Sequence, residues 1–111
     1  MAVTSTQSQH PASVNNVAVG RYLDDGTAAA FKITTGFKPR YVLVVNLDAS
    51  GLCKMEWFEG MADASGIRTV TAGDITVITT LGITVAADGF TVGLDLELNA
   101  DDEQLSWLAI G

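Results

Sequence analysis

A chain of 111 residues makes one domain, and its composition, 48% apolar and 17% charged, holds more apolar material than a small soluble monomer needs. Thirteen acidic against six basic residues give a net charge of −7, with no Lys or Arg after Arg68; phosphate backbones repel such a surface, which argues against a nucleic-acid partner. The longest uninterrupted apolar run, Tyr41 to Val45, is far short of the ~20 residues of a membrane span, and the first residues show neither the basic nor the apolar region of a signal peptide.

Residues 1–16 are polar, short in side chain and almost uncharged. They carry too little apolar surface to offset their own ordering entropy, so a fixed shape requires another molecule to lean on. We read them as an extended N-terminal arm; the alternative is an arm lying along its own domain. The rest, 17–111, reads as a single β-sandwich domain.

From Val17 the pattern is short strands separated by Gly, Asp and Asn. Residues 17–23 precede the turn Asp24-Asp25-Gly26, and residues 27–34 alternate with a period of two. Gly36 and Pro39 bracket a break. The continuous apolar run 41–45 predicts a central strand covered on both faces. Asp48-Ala-Ser-Gly51 predicts a hairpin turn into 52–58.

Further strands are expected at 67–71, 75–80, 83–86, 90–94 and 105–110, with turns at 72–74, Leu81-Gly82, Asp88-Gly89 and 99–102. The Asp88-Gly89 turn is expected to use left-handed backbone angles. Eight or nine short strands at spacings near ten residues point to an all-β fold, a β-sandwich or jelly-roll. No apolar stripe at helical spacing survives three turns without a glycine, so helix is expected to be scarce.

In the last strand Leu105, Trp107 and Ala109 face one way, Leu108 and Ile110 the other, and only Ser106 dilutes the second face. Both sides therefore look covered. In so small a domain one covering layer is expected to come from a neighbour, most commonly an identical one.

Catalytic material is thin. The only histidine, His10, sits in the arm, where nothing fixes its position. There is no nucleophile elbow, glycine-rich phosphate loop or zinc-ligand spacing. No enzyme activity and no cofactor are expected. Cys53, the single cysteine, reads as a small buried hydrophobe in a chain made in a reducing cytoplasm.

Asp95 and Glu97 share a face if that segment is extended, and Asp101, Asp102 and Glu103 follow. Without a calcium-loop pattern, a solvated acidic turn is the default reading, and no metal site is assigned. Trp57, with Glu59 beside it, is the candidate platform for stacking a sugar; the plainer reading makes Trp57 a core or interface anchor.

From Gly36 to Gly111 the chain resembles a small β domain of tailed-bacteriophage virion proteins, found both as a separate polypeptide and as a fibre module. The likeness rests on Gly36-Phe-Lys-Pro-Arg-Tyr-Val42, Val45-Asn46-Leu47, Glu56-Trp-Phe-Glu-Gly-Met61, Gly82-Ile-Thr84, Gly89-Phe-Thr-Val-Gly93, Asn99 and Trp107-Leu-Ala109. These are turn-and-core patterns and bring no active site.

The resemblance implies a virion structural protein. In one role it is a head decoration (cement) protein on the capsid exterior, a homo-oligomer with a trimer as the expected form, its arms reaching across subunits. Its partners would then be itself and the major capsid protein. Candidate contacts on this reading are Val3, His10 and Val14 in the arm, with Val17 and Tyr22 in the first strand. In the alternative role it is a tail-fibre or receptor-binding module, with Trp57 and Glu59 meeting a host surface glycan. A polysaccharide hydrolase is a distant third.

Overall fold

The computed structural model describes residues 16–23, 30–48, 53–70, 72–95, 98 and 103–111. The segment 1–15, with Val3, His10 and Val14 and nearly all of the expected arm, lies outside them. Eight strands and no helix are found among the described residues: β1 (Val17–Leu23), β2 (Phe31–Thr34), β3 (Tyr41–Asn46), β4 (Cys53–Phe58), β5 (Ser65–Val70), β6 (Ile75–Ala86), β7 (Gly89–Val92) and β8 (Gln104–Ile110).

All neighbours pair antiparallel in one sheet of order β1-β8-β3-β4-β5-β6-β7-β2. The sheet curls over its own inner face, so its two halves pack on each other as the layers of a sandwich do. Aromatic contacts join the two halves. Phe90 of β7 meets Trp107 of β8 edge-on with ring centroids 5.5 Å apart, although four strands separate β8 from β7 in the sheet. At the open seam the two edge strands are bridged by Tyr22 of β1 stacked on Phe31 of β2 at 4.4 Å.

Strand periodicity fixes what fills the inside. Val42 and Val44 of β3, Met55 and Trp57 of β4, Ile83 of β6, Phe90 and Val92 of β7, and Leu105 and Ala109 of β8 form the core, with Cys53 at its margin. Gly20 of β1 is the seat for the Trp107 ring: a Cβ there would lie 2.6 Å from Trp107 Cζ2. Leu98, also fully buried, plugs the core from the segment before β8. Asn46, fully buried too, holds it there. Its Nδ2 donates to Leu98 O at 3.0 Å and to the Glu103 carboxylate, and its Oδ1 accepts from Asp48 N at 2.9 Å.

Two turn expectations need correction. Leu81-Gly82 is no turn; β6 runs unbroken through it. Leu81 instead takes a left-handed conformation (φ 60°) inside a bulge, mirrored by Ala64 (φ 57°) and sealed by Gly82 N donating to Ala64 O at 3.0 Å. Here β6 leaves β5, with a register shift at Ser65/Gly66, and takes up β7. Bulges bend a strand and tighten its twist, which helps the sheet curl.

In the β6–β7 hairpin, Ala86 pairs with Gly89, so Ala87-Asp88 is the loop, and neither Asp88 nor Gly89 has a positive φ. Glycine is needed at 89 for closeness, since a Cβ would sit 2.1 Å from Ile33 O on β2.

Candidate functional site

The inner face of the sheet is filled by the core, and the outer face is open to a partner. Directly paired residues on neighbouring strands project to the same side, and the registers link six strands into one row: Val19, Leu108, Leu43, Glu56, Ile67 and Val77. Five of the six are aliphatic. A second row, Val17, Ile110, Tyr41 and Phe58, runs along one side. A third, Arg21, Ser106, Val45, Lys54, Thr69 and Ile75, runs along the other.

Nothing in the described chain covers this face. Val19 is 72% exposed, Ile75 71%, Val77 64% and Val17 55%. Leu43, Val45 and Leu108 at the centre are half-buried and line a shallow apolar depression with Ser106 and Trp107. Contiguous apolar surface of this kind marks interaction sites.

The one carboxylate in the central row is held within the face. Glu56 Oε2 accepts a hydrogen bond from Tyr41 OH at 2.7 Å, and its Oε1 lies 3.8 Å from Lys54 Nζ. Burial first, then the hydrogen bond and charge of Glu56, push the Tyr41 hydroxyl pKa up from 10.0 to about 12. The ionisable side chains pointing out from these rows are thus two basic groups, Arg21 and Lys54, against Glu56 and a tyrosine kept neutral. On a chain of net charge −7, this face carries no excess of negative charge.

No family model matches the chain, and neither a curated protein nor a solved structure does.

The residues singled out from sequence are scattered. Val17 lies on the outer face at its β1 edge, whereas Tyr22 is tied up in the seam stack with Phe31. Val3, His10 and Val14 fall outside the described residues. Trp57 cannot serve as a sugar platform: its ring belongs to the core, 5% exposed, with Nε1 donating to Ala62 O at 3.2 Å. Glu59 is exposed at the end of that hairpin, 3.6 Å from Arg40 Nε.

Asp95 is buried in an ion pair, its Oδ2 2.8 Å from Arg68 Nη1, and is therefore structural. Among the described residues no group of three or more His, Cys, Asp or Glu side chains could hold a metal. Of the face residues, Leu43 and Leu108 belong to strands read from sequence as apolar on both sides, whereas Val19, Ile67 and Val77 were not picked out. Registers are needed to join the two sets.

Proposed function

We propose that the chain is a non-enzymatic structural subunit of a virus particle, specifically a head decoration protein that works by packing surfaces together. The observation that carries this reading is the apolar outer face, built across six strands and left open by the described residues. A solitary soluble protein gains nothing from such a face, whereas a subunit of a shell needs one. The sequence resemblance to tailed-phage virion domains supplies the class of particle. In this role the polar segment 1–16 reaches over neighbouring subunits, and the partners are copies of the chain and the major capsid protein.

The fibre-module alternative keeps the same resemblance but loses its sugar platform with Trp57 in the core. Capsids lacking a decoration layer provide the test. Purified protein should bind them at saturable stoichiometry, measured by co-sedimentation, and a chain lacking residues 1–16 should bind at least about tenfold more weakly. No binding by the intact chain would sink the decoration role, and full occupancy by the truncated chain would sink the arm's part in it.

A further inference from the structure

The apolar outer face needs an occupant, and the segment before β1 offers a poor one. Residues 1–15 contain only Met1, Val3 and Val14 as larger apolar side chains, too few to cover three rows. We propose that the occupant is the same face of a second copy, packed about a two-fold axis with β4 lying over the partner's β4. This deepens the assembly reading above by assigning its homotypic contact.

Three features favour a copy of this chain. The first is charge. Two molecules of net charge −7 repel each other overall, and this face, with Arg21 and Lys54 against Glu56, adds no negative charge to that repulsion. The second is self-complementarity. Lys54 and Glu56 stand two residues apart on the outer side of one strand, near the middle of the face. A two-fold axis between them brings Lys54 of each copy towards the partner's Glu56, so every charge at the centre meets its opposite, as an isologous contact requires.

The third is area. Six strands at ~4.8 Å and five residues at ~3.4 Å make a patch of roughly 24 by 17 Å. Two such corrugated faces bury on the order of 1,000 Å² in total, the lower bound for a specific interface. The contact is therefore expected to be reversible and micromolar, suited to subunits that close up only when gathered on a shell.

Sedimentation velocity on the full chain tests this without any capsid. A monomer–dimer equilibrium is expected between about 1 and 100 μM. Val19→Asp and Val77→Asp, both at strongly exposed positions, should weaken it at least about tenfold while leaving the circular dichroism spectrum and melting temperature intact. Lys54→Glu and Glu56→Lys should each be monomeric alone and form a heterodimer when mixed, since only the mixture restores opposite charges across the axis.

A monomer throughout that range, a trimer, dimers indifferent to Val19→Asp and Val77→Asp, or no heterodimer on mixing would each overturn the proposal. Failure of capsid binding with the dimer intact would sink the decoration role and leave this interface standing. Capsid binding by a strictly monomeric protein would do the reverse.

Discussion

On β3 the side chains of Val42, Val44 and Asn46 are fully buried, while Tyr41, Leu43 and Val45, each one residue away and as apolar on average, are only half-covered. The same contrast runs along β8, where Leu105 and Ala109 are sealed and Ile110 is 40% exposed. Composition does not separate the two faces; partners do. The inner face meets the opposite half of its own curled sheet, and the outer face meets nothing the described chain supplies. On the reading proposed above, a strand apolar on both sides anticipates the assembled state, and the described residues display the half of the pattern they do not cover themselves.

The comparison breaks most sharply at Phe90. It is fully buried and packed edge-on against Trp107, where it joins the two halves of the sheet. Phe90→Ala should cost about 3–5 kcal/mol of unfolding free energy, a large part of the ~5–15 kcal/mol typical of a domain. Val77→Asp, exchanging one outer aliphatic for a charge, should change monomer stability by less than about 0.5 kcal/mol. Urea denaturation at low protein concentration, below any association, measures both. If the two substitutions cost alike, inner and outer faces do not differ in the way described.

A smaller effect belongs to an ion pair that the curl encloses. Arg68 projects from the inner side of β5 and reaches Asp95 at 2.8 Å, with Asp95 buried. Asp95→Ala leaves a largely buried guanidinium without that carboxylate and should cost about 2 kcal/mol by the same denaturation assay, because breaking such a pair leaves a charge undercompensated. Lys32 and Asp88, 3.2 Å apart but both more than half exposed, provide the contrast: Lys32→Ala should cost well under 1 kcal/mol.

The strands were largely legible because two-residue alternation and the Gly, Asp and Asn breaks are local signals. The all-β class and seven of the eight strands follow from them, and the eighth emerges when 75–80 and 83–86 join into β6. That junction was not legible, since a leucine with positive φ inside a strand is held by tertiary contacts, here Gly82 with Ala64 and Ser65, and leaves no mark in composition. Gly89 invited a turn reading because glycine has two uses, left-handed angles and close approach, and sequence cannot tell which applies.

Trp57 follows the plainer of its two readings, the core anchor, and not the sugar platform. An aromatic flanked by carboxylates looks like a binding platform, yet strand parity sets it beside Met55 on the inner side, and the Ala62 carbonyl satisfies its indole. The outer face as a unit was beyond reach, because a row of six residues spread from position 19 to 108 exists only once every register is known.

The finest test bears on how the outer face tolerates a carboxylate at its centre. The Tyr41 hydroxyl, partly buried and bonded to Glu56, has its pKa raised from 10.0 to about 12. A tyrosine whose folded pKa lies above its unfolded value keeps its proton when the unfolded chain has lost it. Its stabilising contribution is therefore complete below pH 10 and drains away as pH rises from 10 towards 12, the folded form binding more protons over that window. In a Tyr22→Phe background the remaining tyrosine is Tyr41, and its ionisation is readable by ultraviolet absorbance. It should titrate near pH 12. Adding Glu56→Gln should move the midpoint part of the way back towards 10, since the carboxylate's charge and its strong acceptor go while the burial stays. A midpoint that ignores Glu56 would mean that the carboxylate is solvated away from Tyr41. The raised pKa of Tyr41 would then come from burial alone, with no part played by the carboxylate.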